Sequence, residues 1–146
     1  MRIKLLWVGK TKERPIAEGV EKYIKLLGRY ARVEVSEVKE HRTGSAHSRV
    51  KREGQRILAQ AKKGFVLLDE RGRGLTSIEF ASWLKGKSGA EFVIGGPYGV
   101  ADEVRQGAGD MLSLSPMTLT HEMSRLLLVE QIYRAMNIIK GGGYHH

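Results

Sequence analysis

The sequence contains no cysteine, which removes at once a disulfide scaffold, a thiolate nucleophile and any cysteine-ligated zinc or iron–sulfur site. It also lacks an apolar run of the roughly 18 residues that span a bilayer. The stretch Ile3 to Val8 is too short, and too soon followed by charge, to serve as a signal peptide. A soluble, cytoplasmic protein with no membrane partner is expected. Two nucleotide signatures are missing as well: there is no Gly-x-x-x-x-Gly-Lys-[Ser/Thr] run, and no Gly-x-Gly-x-x-Gly follows the first apolar segment. Gly9-Lys10-Thr11 lacks the preceding glycine of a phosphate-wrapping loop and reads as a turn that ends a strand. The histidines do not gather at ligand spacing. His41 and His47 lie in a basic loop, His121 opens a helix and His145-His146 stand at the end, so no metal is expected.

What is present suffices for one compact unit. A chain of 146 residues, 41% of them hydrophobic, can bury a single core without crosslinks, so residues 1–146 are read as one domain. Against 16 Asp and Glu stand 25 Lys and Arg, a net charge of +9. Such an excess either steers a polyanionic partner, nucleic acid above all, or merely maintains solubility. Charge alone leaves both open.

The apolar pattern alternates between two periods. Arg2 to Val8 reads as a strand, and Pro15 sits where the first turn of a helix accepts it; Ile16, Val20, Tyr23, Ile24 and Leu27 then recur at helical spacing. Arg32 to Val38 alternates with period two, as a half-exposed strand near a sheet edge does. After an aperiodic loop, Val50, Ile57, Leu58 and Ala61 mark a second helix with a basic face. Gly64 to Asp69 is a continuous apolar run typical of a strand buried on both faces, with Glu70 to Gly74 expected as a polar turn. Thr76 or Ser77 caps a helix running to about Leu84, and Glu91 to Gly95 forms another buried strand. Asp102 and Glu103 favour a short helix start, and Met111 to Ser115 supplies the last strand. The final helix, His121 to about Met136, is apolar on more than one face, which suggests burial against a second subunit. Strands and helices alternate throughout. The fold class is α/β, with a mainly parallel sheet and helices on both faces.

Ligands of such sheets bind beyond the carboxyl ends of the strands. Three loops qualify: Leu68 to Gly74, Gly95 to Gly99, and Leu114 to His121. Gly95-Gly96 strips side chains from the point where the chain leaves the sheet, either to make a tight turn or to let a flat ligand approach the backbone. Leu114, Met117 and Leu119, interspersed with hydroxyls, offer an apolar slot for an adenine, while Thr120 is equally a helix cap. The tail Gly141 to His146 is either a frayed end or an arm that delivers Tyr144 and His145 to a site.

Taken together, ordered blocks along essentially the whole chain resemble the SPOUT-class ribosomal RNA pseudouridine N3-methyltransferases of the RlmH type. They are Leu5 to Gly9, Leu68-Asp69, Ile94 to Gly99, Leu112 to Ser115, Met117 to Leu119, His121, Arg125, Glu130, Tyr133 to Ala135 and Tyr144-His145. The resemblance implies a homodimeric domain with a C-terminal trefoil knot. It also implies S-adenosyl-L-methionine as cofactor, held by Leu68, Gly95, Leu114, Ser115, Pro116, Met117, Thr118 and Leu119. The implied substrate is a pseudouridine of large-subunit (23S) ribosomal RNA, methylated at N3 on the assembled ribosome.

Arg42, Arg49, Lys51, Arg52 and Arg56 are either candidate phosphate contacts, because Lys and Arg supply most sequence-independent affinity for nucleic acid, or a solvated helix face. The acceptor imide must lose a proton before it attacks, which calls for a general base or a cationic setting. His145 and Tyr144 from the tail, with His121 and Arg125, are assigned to that step, His145 as base because imidazoles titrate near neutrality. Family members place Arg after the Tyr-His pair, where this chain has His146. A domain that keeps the RNA affinity and lacks the chemistry is the alternative.

Overall fold

The computed structural model describes residues 1–146. Five strands, β1 (Arg2–Val8), β2 (Arg32–Val38), β3 (Val66–Gly74), β4 (Gly89–Ile94) and β5 (Asp110–Ser113), alternate with five helices. These are α1 (Arg14–Leu27), α2 (Ala46–Gln60), α3 (Ser77–Leu84), α4 (Asp102–Gly107) and α5 (His121–Ile139). The strands form one sheet in the order β2-β1-β4-β3-β5, and every pairing is parallel. β2 stands at one edge, as its alternating pattern predicts. No helix is long and apolar enough to cross a membrane.

Because β1 is covered on both faces, its side chains divide the interior in two. Ile3, Leu5 and Trp7 point into a larger core with Phe92, Ile94, Leu128, Val129 and Ile132. Leu6 and Val8 point into a smaller one with Val38, Ile57, Phe65, Leu67, Val93 and Val104. Thus α1, α3 and α5 lie on one face of the sheet, and α2 and α4 on the other. Local signals start the helices where the sequence places them. Pro15 occupies the first turn of α1, Thr76 and Glu79 form a reciprocal capping box on α3, and Thr120 accepts the Met123 N–H at the start of α5.

Two expectations need correction. The wide apolar surface of α5 is used within the chain: the helix lies between α1 and α3, and Leu128, Val129, Ile132, Ala135 and Met136 are buried there. Met123 is its one exposed large apolar residue. Nor is Glu70 to Gly74 a simple turn. After an irregularity, β3 resumes its pairing with β5, Arg73 opposite Leu112 and Gly74 opposite Ser113. Gly72 permits this, since a Cβ there would lie 2.6 Å from the Leu112 nitrogen and the Met111 carbonyl. Composition reads this stretch as a turn because it is glycine-rich and charged; the tertiary contact with β5 keeps it extended. With β5 outside β3 and α5 packed over the middle of the sheet, the chain leaving β5 returns across this segment. That course is consistent with the trefoil knot implied by the resemblance.

One polar cluster joins α5 to β1. The fully buried Arg125 guanidinium donates to the Val8 carbonyl at 2.6 Å, the Gly9 carbonyl at 3.2 Å and the Thr11 hydroxyl at 2.9 Å, and its carbon lies 5.1 Å from the Trp7 ring centroid. Burial lowers its pKa to about 10, which leaves it charged at neutral pH. One turn earlier, Glu122 accepts the Lys12 and Glu13 N–H groups through a single oxygen, at 3.1 and 2.9 Å. Burial alone would raise this carboxyl; those two N–H donors, aided by Arg125, hold it below its ordinary value.

Replacing Arg125 with Leu strands these acceptors in the interior and should cost about 3 kcal/mol of unfolding free energy; a loss under about 1 kcal/mol in urea denaturation contradicts the anchoring role. A carboxyl with a depressed folded pKa contributes stability above its unfolded value, ordinarily 4.5, and loses it as the pH falls through the folded value. The stability difference between wild type and Glu122→Gln should accordingly be greatest above pH 4.5 and shrink in more acid solution.

Candidate active site

Beyond the carboxyl ends of β3, β4 and β5, the three loops that follow them enclose a cleft of about 800 Å³. Leu68, Gly95, Leu114, Ser115, Met117, Thr118 and Leu119 all line it, as does His121. Pro116 is exposed and does not. The three loops are tied to one another. Thr118 donates to Glu70 at 3.0 Å, which joins the β5 loop to the β3 loop, and the Ser115 hydroxyl accepts the Met117 N–H at 2.9 Å. Asp69, nearly buried, accepts from the Arg71 N–H and from Arg105 of α4, each at 2.9 Å. The β4 loop turns without room for a side chain: a Cβ on Gly95 would lie 2.5 Å from a Val100 methyl and 2.9 Å from the Gly99 carbonyl.

Aliphatic groups and hydroxyls make up much of the wall, and titratable groups gather at one end. His121 is half-buried beside Glu122, with Nε2 4.0 Å from a carboxylate oxygen. Burial first, and the neighbouring Arg125 charge second, hold its imidazole below its ordinary value of 6.5. It is therefore mostly neutral at physiological pH and free to accept a proton. Arg125 requires a correction: its guanidinium points to the end of β1 and has no exposed surface, so it does not line the cleft. It ties the first turns of α5 to the end of β1.

The tail is docked, not frayed. Tyr144 packs edge-on against Tyr133 at 4.8 Å between centroids, and its hydroxyl donates to Glu130 at 2.9 Å and meets the Tyr23 hydroxyl at 3.1 Å. Its N–H donates to the Asn137 side chain, while His145 Nδ1 meets Arg134 at 3.2 Å. Burial, together with the Tyr23 and Glu130 bonds, raises the Tyr144 hydroxyl. Arg134 lies 13 residues after His121 on α5, which at 1.5 Å per residue separates His145 from the cleft by roughly 20 Å. A single chain thus brings His121 to the cleft and leaves Tyr144 and His145 at the far end of the helix.

The family model for the predicted SPOUT methyltransferases matches residues 1–145. The chain belongs to the SPOUT methyltransferase family. It is 48% identical over 145 residues, 99% of each chain, to the ribosomal RNA large subunit methyltransferase H of Thermodesulfovibrio yellowstonii. To the protein of the same name from Geobacter sp. strain M21 it is 46% identical, over 100% of this chain and 99% of the other. Among solved structures, it is similar to a protein of Legionella pneumophila described as a methyltransferase and solved with SAM bound. There the TM-score is 0.55 at 13% identity, over 92% of this chain and 66% of the other. It is also similar to the tRNA (m1G37) methyltransferase of Aquifex aeolicus, with a TM-score of 0.54 at 13% identity over 92% and 70%. At such identity these two likenesses show the fold alone.

In this SPOUT methyltransferase the candidate RNA contacts lie on α2 and in the loop before it. Arg42, Lys51 and Arg52 are exposed, whereas Arg49 and Arg56 are half-buried and donate to the Gly44 and Lys39 carbonyls. Arg49 also lies 5.8 Å from the ring centroid of Tyr98, which lines the cleft and is 56% exposed. Sequence reasoning missed Lys12, Glu13 and Arg105 as cleft residues. The first two arrive only because Glu122 holds their backbone from 109 residues away or more, and no local pattern signals that.

Gly95→Ala should destabilise the fold by roughly 1–3 kcal/mol, the cost of overpacking a filled site. Unchanged thermal unfolding contradicts the tight β4 loop.

Proposed function

We propose that this SPOUT methyltransferase transfers the methyl group of S-adenosyl-L-methionine to N3 of a pseudouridine in 23S ribosomal RNA, acting as a cytoplasmic homodimer on the assembled ribosome. The observation that carries the reading is the three-loop cleft at the carboxyl ends of β3, β4 and β5 in a chain matched over its full length by ribosomal RNA large subunit methyltransferases H.

The residues suit the cofactor. Leu68, Ile94, Leu114 and Leu119 offer apolar surface for an adenine, Ser115, Thr118 and Glu70 offer partners for sugar hydroxyls, and the absence of a side chain at Gly95 keeps the floor flat. Pro116 serves the β5 loop by its fixed φ and makes no contact in the cleft. Bound there, the cofactor supplies a methyl group already activated on a sulfonium centre. The remaining work of the chain is to align the acceptor nitrogen and remove its proton.

His121 is neutral and faces the cleft, so it meets the first requirement of a base. Since Tyr144 and His145 stand roughly 20 Å along α5 from that cleft, their part in the acceptor step belongs to a second copy of the chain. Exposed Met117 and Met123 beside the cleft supply apolar surface for such a contact. Arg49 and Tyr98 at the mouth, with Arg42, Lys51, Arg52 and Arg56, face the RNA backbone.

Incubation of the protein with intact ribosomes and methyl-labelled cofactor should place label on one large-subunit nucleotide. Absence of label, with no thermal stabilisation by the cofactor, leaves a non-catalytic RNA-binding domain as the reading. His145→Ala should lower turnover at least 100-fold while cofactor affinity is kept. Mixed with Gly95→Ala chains, whose filled β4 loop should no longer admit the cofactor, His145→Ala chains should then recover activity through mixed dimers. The acid limb of kcat/KM should report a group titrating below pH 6.5, and loss of that limb in His121→Gln identifies it.

A further inference from the structure

At the opposite end of the sheet, the amino ends of β1, β2 and β4 and the loop from α2 to β3 form a second groove, of about 350 Å³. Arg2, Lys4, Arg32, Lys62 and Lys63 line it against two carboxylates, Glu34 and Glu91. Glu91 is buried and already committed, accepting the Lys62 N–H at 3.2 Å and facing the Lys4 ammonium at 3.6 Å. That leaves Arg2, Arg32, Lys62 and Lys63 against Glu34, and all five side chains are exposed. None of the four cations takes part in an ion pair.

Register makes the arrangement unusual. Arg2 sits directly opposite Arg32 across the β1–β2 pair, and its other neighbour is Gly89, which has no side chain. Like charges on adjacent strands repel, and here no acid intervenes. The groove lies on the same sheet face as α2, since Arg2 and Lys4 share the orientation of Leu6 and Val8, which pack with Ile57 of that helix. The first turn of α2 reaches the cleft mouth through Arg49 and Tyr98, and its last turn leads into Lys62 and Lys63. Exposed Lys51 and Arg52 lie between. The helix of 15 residues spans roughly 20 Å, so cations run from the cleft mouth to the far groove along one face.

We propose that the groove formed by Arg2, Arg32, Lys62 and Lys63 is a second phosphate-binding surface that grips ribosomal RNA backbone remote from the methylated nucleotide, with α2 as the track between them. The partner is a polyphosphate strand rather than an acidic protein segment. Ile3 and Phe65, the large apolar residues of the groove, are buried in the two cores, leaving a peptide no apolar anchor. The inference rests on the function proposed above and adds a contact to it.

The test uses the full chain with Arg32→Glu and Lys63→Glu together, and Lys22→Glu with Lys25→Glu on α1 as a control of equal charge change. In methyl transfer to intact ribosomes, the groove variant should raise KM about tenfold or more, with the loss confined to KM and the affinity for S-adenosyl-L-methionine kept. The slope of log binding constant against log salt should fall by about two, one for each phosphate contact removed. The control should shift neither by a comparable amount, and Arg32→Lys with Lys63→Arg should behave as wild type. If wild type transfers label but the groove variant keeps its KM and salt slope, or matches the control, the groove is not an RNA surface. If wild type binds both, and the groove variant weakens binding to ribosomes but not to deproteinised large-subunit RNA, the partner is a ribosomal protein and the proposal falls. Failure of wild type to transfer label at all instead removes the proposed function.

Discussion

The buried guanidinium of Arg125 is the constraint on which the geometry of the cleft depends. Strand β1 ends with the Val8 and Gly9 carbonyls turned toward α5, and an arginine reaching from that helix donates to Val8, Gly9 and Thr11 together. A buried charge is costly unless paired and bonded. Here the strand carbonyls, the face of Trp7 and the carboxylate of Glu122 compensate it. Because Glu122 also holds the backbone of Lys12 and Glu13, the first loop of the chain and the first turn of its last helix are fixed as one body. His121 stands on that body, and its neutral state follows from the same burial and the same positive neighbour.

The sheet separates two kinds of work. On one face, α1, α3 and α5 bury the larger core, and the aromatic cluster of Tyr23, Tyr30, Tyr133 and Tyr144 closes its far end. On the other, the smaller core under α2 and α4 leaves the exposed side of α2 and the amino ends of the strands to cations. Lys12, Arg71 and Arg105 line the cleft, Arg49 meets it at Tyr98, and Arg2, Arg32, Lys62 and Lys63 line the groove, so a long polyanion can meet both.

Much of the fold was legible because the signals were local. Pro15, the Thr76–Glu79 box and Thr120 set helix starts within one turn, and period-two alternation in β2 reported an edge strand. The candidate cofactor loops were found for a similar reason, since buried strands ending in Gly95 and in Leu114 to Leu119 announce where a parallel sheet opens. What escaped was long-range. The extension of β3 through Gly72 depends on backbone contact with β5, Arg125 was read as a chemical group because no pattern tells a buried arginine from a reacting one, and Pro116 shares the composition of a loop whose other members line the cleft.

By itself the sequence determined the α/β class, the order of the elements and the excess of positive charge, because each of these is written in propensity, period and composition over a few neighbouring residues. It also carried the family resemblance, in blocks whose order needs no coordinates. Only the tertiary structure decided that the tail docks on the last turns of α5, leaving Tyr144 and His145 away from His121, and that Arg2 and Arg32 lie side by side at the far end of the sheet. Those facts depend on parallel register and on a helix clamped across the sheet, and both bring together residues whose separation along the chain leaves no local trace.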